Sequence, residues 1–455
     1  DLIFLPGQYG DTPPSLEVRA YLQQGMTLTF LQHGQTRKLG KKEVTYSYQP
    51  EGDTGPTIQV SYKPCSWYKH QDGWEKLAVK DATDGRLTTK PVEVAGPLNP
   101  GAAVRHVKFS NATTISEGVE HVLSLYFALV GCLALPINRG SGVLIVPDVP
   151  DLKSFSTARP WMTPASARDC RVAGASDAAL QAQVRLRSKM TARRLELPGC
   201  DAITFQKTDW DKKQKSRVRA LFVPSGSDQV LDVFEKALAE LPPRVISRTV
   251  QETSGRGRNR TVVERTEWFW VDSVVRPLVA ENLARGDPWY SHFVDLMTKI
   301  DPATKKPIRD RILFEKRGLH AMIEEPIWKD RGESTVVRAV HEALRRRYGQ
   351  IADENSGNPA AMKNRMASEY DRWRLAFAGA KTPDQFRKSL CDLLSRAGVN
   401  PVLQAEWERL LPMLDASRWQ QTRDLALLAL ASYSRKESEE DVDVPTDKDT
   451  SEAVA

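Results

Sequence analysis

The apolar positions between Thr261 and Ile300 mark out a large hydrophobic body. Val271, Val274, Val275, Leu278, Val279 and Asn282 recur at i, i+3, i+4, i+7, i+8 and i+11, which predicts a helix with one apolar stripe. Arg285 and Gly286 close it with a cation and a glycine stop. Asp287 then caps a second predicted helix from Pro288, whose apolar face is Trp289, Phe293, Leu296, Met297 and Ile300. Just upstream, RVISRTVQET and TVVERTEW read as two strands joined at SGRGRNR, a β-hairpin with Arg256, Arg258 and Arg260 at its tip. The pattern is a hydrophobic platform that presents a basic loop.

Towards the N-terminus, from Thr27 to about Lys108, the pattern is strand-like. Val44, Tyr46 and Tyr48 alternate with polar residues, as do Ile58, Val60 and Tyr62, and PEGDTGP supplies the turn between them. CSWYKHQDGW (65–74) interleaves aromatic and basic residues, which suits either nucleotide stacking or a packed sheet edge. Ser116 is expected to open a helix with Val119, Val122, Leu123, Tyr126, Phe127 and Val130 on one face, ending near Pro136. NRGSG then leads into a short buried strand, Val143–Val146. Residues 150–200 read as loops such as RPWMTP plus one helix carrying Arg185, Arg187, Lys189, Arg193 and Arg194. Strands near Ala202–Gln206 and Val218–Val223 flank the basic turn KTDWDKKQK, and Ser227 caps an amphipathic helix with Val230, Val233, Phe234, Ala237 and Leu238 inward.

Beyond Ser334 the chain reads as helix: roughly 334–349, 360–378, 383–397, 401–415 and 417–435, punctuated by Asn358-Pro359, Thr382-Pro383, Gly398 and Asn400-Pro401. Short connections make the neighbours antiparallel and predict a bundle. The fold class expected is therefore a multidomain α+β chain. A β-rich region (1–115) precedes a mixed α/β region (116–330, with the basic hairpin at 244–267), an all-α bundle (331–435) and a disordered acidic tail (436–455).

Charge changes this picture. The net charge of +7 over 455 residues conceals an asymmetry: 436–455 carries eight acids and two lysines, leaving 1–435 with 63 basic against 50 acidic residues, or +13. A basic body suggests a polyanion, most simply nucleic acid. Five scattered cysteines without CxxC spacing indicate neither a disulfide framework nor a zinc site and point to a reducing cytoplasm. The most apolar run, Val122–Ile137, is too short for a membrane span and contains Gly131 and Pro136.

Catalytic signatures are sparse. The sequence has no GxxxxGK loop and no GxSxG elbow, and the short GSG and GRG runs lack a third glycine. His320 and Glu324, four apart with Glu325 beside them, supply two metal ligands where a site needs three or more. Asp272 and Glu281 read as capping or pairing groups. No cofactor is expected.

FWVDSVVRPLVAENLARGDPWYSHFVDLM (269–297) resembles the central region of the large subunit of type I CRISPR effector complexes (Cascade), in the MYXAN or type I-B-like branch. RWQQTRDLALLALASY (418–433) resembles the end of the helical region that behaves like the Cascade small subunit. The resemblance implies a non-catalytic subunit at the foot of a complex built on CRISPR RNA. Its implied partners are that RNA's 5′ handle, target double-stranded DNA, the Cascade backbone, handle-binding and small subunits, and a recruited helicase-nuclease or transposition machinery. In such complexes pairing reads the target while protein reads the flanking motif and backbone.

Arginine pairs bidentately with guanine and asparagine with adenine, while glycine lets a backbone approach a groove. Arg256, Arg258, Asn259 and Arg260 are therefore the first candidates for duplex contacts, and Asn138 and Arg139 the second; a solvated tip is the ordinary alternative. Lys212, Lys213 and Lys215 suit phosphate. Arg345, Arg346 and Arg347 cannot share one helix face, so only part of that run can track a strand. Arg345, Arg372, Arg374, Arg387, Lys388 and Arg423 are candidates for the displaced strand, whereas Trp268, Trp270, Trp289, Trp407 and Trp419 are expected in the core. The rival readings are a metal-dependent nuclease using His320 and Glu324, and a stand-alone nucleic-acid-binding regulator.

Overall fold

The computed structural model describes residues 2–3, 5–32, 34–50, 55–80, 84–99, 114–137, 140–189, 197–207, 216–254, 261–301, 305–324, 327–328 and 330–434. They form two compact units: residues 1–227 with 243–272, and residues 228–242 with 273–455. These units do not break at 115/116 or 330/331, and the helix after residue 227 packs in the second unit. The expected platform is divided too. Trp268–Trp270 belong to the first unit and the helices after them to the second.

The first unit centres on a four-stranded antiparallel sheet of β7 (Leu133–Ile137), β8 (Ser141–Pro147), β9 (Gly199–Lys207) and β10 (Ser216–Pro224), in the order β10-β9-β8-β7. Helix α1 (Leu16–Leu28) packs on β7 and β8, and α4 (Ala175–Lys189) on β8, β9 and β10. Covered in this way, LALPI and GVLIV bury consecutive residues instead of alternating. Gly25 permits the close approach, since a Cβ there would lie 2.3 Å from the Ala134 carbonyl oxygen.

Outside this sheet the described strands form four two-stranded pairs. β1 (Arg37–Leu39) pairs with β4 (Cys65–Tyr68), and β2 (Val44–Tyr48) with β3 (Ile58–Tyr62); the second pair is the expected hairpin. β5 (Val92–Ala95) pairs with β6 (Thr114–Glu117), and β11 (Arg244–Ser254) with β12 (Thr261–Val271). Ser116 lies in β6, so α2 (Val119–Gly131) starts behind Gly118 and stops at Gly131, where the chain turns into β7. RPWMTP is no loop. Most of it belongs to α3 (Leu152–Met162), capped by the Asp151 carboxylate accepting from Lys153 N. That helix delivers Arg159, 2% exposed, to the carbonyls of Gly131 (3.0 Å) and Cys132 (2.6 Å) at the end of α2. Arg171 and Asp272 join by two bonds, 3.1 and 3.2 Å, which fixes Asp272 as a pairing group.

In the second unit α5 (Asp228–Glu240) buries Leu231, Val233, Phe234 and Ala237. The next helix, α6 (Arg276–Arg285), begins later than its apolar stripe suggests, because β12 carries the chain as far as Val271. The Ser273 hydroxyl oxygen then accepts from Val275 N (3.1 Å) and Arg276 N (2.9 Å), capping the helix there. Its end is as expected: Gly286 has φ 79° and Asp287 N donates to Asn282 O at 2.9 Å. No helix starts at Pro288. The Asn282 amide holds the Trp289 (3.0 Å) and Ser291 (2.7 Å) carbonyls in a turn, and α7 (Phe293–Thr298) follows. Trp289, Phe293, Leu296 and Met297 are buried as expected, whereas Ile300 is 60% exposed.

After α8 (Arg309–Ile312) and α9 (Lys316–Glu324) come α10 (Arg331–Glu354), α11 (Pro359–Ala378), α12 (Pro383–Arg396), α13 (Pro401–Leu410) and α14 (Trp419–Ser432). The Asn358, Thr382 and Asn400 side chains cap α11, α12 and α13, each followed by proline at the first helical position. Helix α14 buries Leu425–Ala431 all round, which makes it the hub of the unit; α7, α9, α10, α11 and α12 pack against it. Its Asp424 carboxylate reaches out to cap α7, accepting from His292 N (2.7 Å) and Val294 N (3.3 Å).

Candidate nucleic-acid interface

The longest ribbon of the first unit is β11–β12, eleven paired positions from Arg244↔Val271 to Ser254↔Thr261. At about 3.3 Å per residue it spans some 35 Å. Its base is anchored by Trp270, 8% exposed, whose indole N–H donates to the Tyr48 hydroxyl at 2.9 Å. Midway, Arg248 pairs with Glu267 at 3.2 Å and lies over the Phe269 ring, 5.7 Å from its centroid. Further out, Gln251 donates to Glu264. The six-residue connection holding Arg256, Arg258, Asn259 and Arg260 lies outside the described residues, as do Asn138, Arg139, Lys212, Lys213 and Lys215.

The backbone register nevertheless relates two of these groups. Ile137 pairs with Ser141 at the β7–β8 connection, and Lys207 with Ser216 at the β9–β10 connection. Gly142 pairs with Phe205, so the residues flanking both connections stand at one end of the same sheet.

The bundle candidates are described, and most are engaged. Arg345 makes two 2.7 Å bonds to Glu342, which also accepts from Arg346 at 2.6 Å. Those bonds hold the Glu342 carboxyl below its usual range. Arg347 points elsewhere, to Glu369 at 3.0 Å, so the three arginines indeed do not share a face. Arg372 pairs with Asp392 at 3.3 Å and sits over the Trp373 ring. Arg387 donates to the Leu414 carbonyl (2.6 Å) and to Asp384 (3.1 Å). Lys388 is exposed, with no ion pair among the described residues.

Two strand candidates are corrected. Arg374 is 4% exposed and joins Asp371 (2.9 Å) to the Met297 carbonyl (3.3 Å). The Arg423 side chain, 14% exposed, is held by Asp424 at 3.2 Å and stacks over Trp419. Arg374 has no surface left for a strand, and Arg423 presents little. Among the tryptophans, Trp270 and Trp289 are buried, but Trp268 is 39% and Trp407 52% exposed. Trp268 faces outward on its ribbon, and Trp407 lies on α13 next to Glu406, whose backbone leaves helical geometry.

His320 and Glu324 meet at 3.1 Å, and the other imidazole nitrogen of His320 faces the Ser432 carbonyl at 3.2 Å. His341 stacks on His320 with centroids 5.9 Å apart, and burial lowers its pKa to about 4. Among the described residues no group of three or more His, Cys, Asp or Glu is arranged to hold a metal ion. No helix there is long and apolar enough to cross a membrane. Four of the cysteines are buried, and burial pushes the Cys200 thiol up to about 11.

A cationic surface absent from the sequence candidates lies on the ribbons of β1 to β4. Lys38, Lys41, Lys42 and Lys63 are all exposed there. Its sequence signal is KLGKK before one strand and YKP after another, too short to stand out by charge alone.

Comparison with known proteins places this architecture. Residues 1–126 match the DevT N-terminal domain and residues 324–454 the DevT C-terminal domain. Over 451 residues the chain is 36% identical to the CRISPR-associated protein Cas8a1/Csx13 of Myxococcus xanthus strain DK1622, covering 96% of this chain and 75% of that one. With identity extending through both units, the chain belongs to the Cas8a1/Csx13 family of CRISPR-associated proteins.

Proposed function

We propose that this chain is the non-catalytic large subunit of a CRISPR RNA-guided DNA surveillance complex. In this reading it recognises the protospacer-adjacent motif, contacts the CRISPR RNA 5′ handle, stabilises the opened DNA and recruits an effector. That effector is a helicase-nuclease, or the transposition proteins of a transposon-associated system. The observation that carries the reading is the 36% identity to a Cas8a1/Csx13 protein across almost the whole chain. The β11–β12 ribbon supports the role given to Arg256, Arg258, Asn259 and Arg260. A two-stranded ribbon is one of the few elements that fit a major groove, and these residues join its outer end. Asn138 and Arg139, with Lys212, Lys213 and Lys215, belong to connections at one end of the central sheet. A second, backbone-contacting region is assigned to them.

The test is the assembled complex with its guide RNA, challenged with a library of target duplexes varied only in the flanking motif. Replacing Arg256, Arg258 and Arg260 by alanine is expected to flatten the motif preference, each lost base contact costing about 1–3 kcal/mol of discrimination. An unchanged preference would remove the ribbon from the reading.

A further inference from the structure

The strand pairs β1–β4 and β2–β3 form one continuous ribbon. β1 runs into β2 and β3 into β4, and Gly40 N donates to the Pro64 carbonyl at 2.7 Å between them. The ladder continues past β1, where Lys69 N donates to Thr36 O at 2.8 Å. At the junction the two strands differ in length. Between the pairs Leu39↔Cys65 and Val44↔Tyr62, one strand has residues 40–43 and the other only 63 and 64. That is a bulge, a device that re-aims side chains and bends a ribbon.

The bulge is firmly held from beneath. Gln23 of α1 donates its amide to the Lys63 carbonyl at 2.8 Å, Tyr21 meets the Tyr48 hydroxyl at 3.1 Å, and Ile58 and Val60 are buried. The opposite face is open. Its cross-strand pairs are Thr45↔Ser61 and Ser47↔Gln59, four exposed hydroxyl or amide side chains, with Thr45 and Ser61 bonded at 2.9 Å. At the bulge, Lys41 and Lys42 stand across from Lys63, with Lys38 a few residues further on. Glu43 is the one acid within residues 37–48 and 58–68, and none of the four lysines has an ion pair among the described residues. Like charges opposed across a ribbon cost stability, and here the backbone geometry sets them together.

We infer that this bulged ribbon is a nucleic-acid backbone-binding surface, in which Lys38, Lys41, Lys42 and Lys63 neutralise consecutive phosphates beside the Thr45–Ser61 and Ser47–Gln59 face. It rests on the reading of the chain as a nucleic-acid-binding subunit and adds a second contact region to it. The four lysines would meet phosphates as point charges, so their contribution is independent of sequence. It is distinct from the β11–β12 arginine segment, although the Tyr48–Trp270 bond ties the far end of this ribbon to the base of that one.

The experiment measures affinity of the full chain at low salt, over a salt series, for a single-stranded RNA and a duplex DNA of arbitrary sequence. The variant is Lys38→Gln, Lys41→Gln, Lys42→Gln and Lys63→Gln combined, with Lys41→Gln/Lys42→Gln as a milder version and thermal unfolding as a check of fold. The inference predicts that the slope of log K against log salt falls by about 3 for the fourfold variant, and that affinity drops about tenfold or more, equally for all sequences. Loss confined to RNA or to DNA identifies which strand the ribbon holds, and either supports it. Wild-type binding with an unchanged slope in both variants overturns the ribbon alone. Absence of binding by the wild-type chain to either nucleic acid overturns the ribbon together with the reading beneath it.

Discussion

The helical bundle and the bulged ribbon both carry dense positive charge, and they use it in opposite ways. In the bundle the arginines are structural. Arg345 and Arg346 share Glu342, Arg347 holds Glu369, Arg372 meets Asp392 and Arg374 bridges Asp371 to a backbone carbonyl. In the ribbon, Lys38, Lys41, Lys42 and Lys63 have no such partners among the described residues. Counting cations along a chain therefore overstates the bundle and understates the ribbon. What matters is whether the fold supplies a carboxylate, and the Glu369 that answers Arg347 lies 22 residues away on the next helix.

The sharpest break in the comparison is Arg347→Ala. The Glu369 side chain is 10% exposed and also accepts from the Trp373 indole at 3.0 Å, so removing its cation leaves a nearly buried carboxylate undercompensated. Denaturant unfolding should show the bundle destabilised by about 3 kcal/mol, with nucleic-acid affinity unchanged. Lys41→Gln should do the reverse, weakening binding while moving stability by no more than about 0.5 kcal/mol.

A second effect appears on acidification. His70 in the first unit is buried and His341 in the second is half-buried, and desolvation lowers each pKa to about 4. A base with a depressed folded pKa takes up its proton more readily when unfolded. Stability should therefore be lost as pH falls from about 6.5 towards 4, by up to about 3 kcal/mol per imidazole. Comparing His70→Phe with His341→Phe separates the units, since each variant should flatten this slope only for its own.

At lower pH, Glu406 is the group to watch. Hydrogen bonds from Arg338 and Thr335 hold its pKa at about 2. Its contribution is present above the usual glutamate pKa and disappears as pH falls from about 4.5 to about 2. Glu406→Gln should be less stable at neutral pH and less sensitive in that acid window, measured by thermal unfolding. The smallest effect concerns Lys388, the bundle candidate that is both exposed and unpaired. Lys388→Gln should reduce the salt slope of binding by about 0.7–0.9, whereas Arg345→Gln, whose charge Glu342 already answers, should hardly alter it.

Much of the secondary structure was legible from the chain. The strands around Val44–Tyr48, Ile58–Tyr62 and Arg244–Val271 and the helices after Arg331 carry their own periodicity, and Asn358, Thr382 and Asn400 perform the caps their positions implied. The omissions have physical causes. Val18, Tyr21, Leu22 and Met26 form a helical stripe in α1, but glutamines, threonines and Gly25 obscure it, the glycine being needed for contact with β7. Pro160 and the adjacent Arg159 disguise α3 as a loop, although that arginine is buried to satisfy the end of α2. The apolar stripe of α6 extends back to Val271 because the end of a strand happened to continue its spacing.

Of the candidate interface, the strands bearing the arginine segment were readable, since their pattern is local. The status of the bundle arginines was not, because pairing is settled between helices. Nor was the lysine bulge, whose charges come together only when β1 and β2 are laid against β4 and β3.

The measurement that bears most directly on the account is co-purification. The tagged full chain would be expressed with its genomic neighbours, the particle washed at high salt and any retained RNA sequenced. The account predicts a large stoichiometric particle containing a discrete RNA of repeat-plus-spacer form. A monodisperse protein that retains no RNA after that co-expression would contradict it.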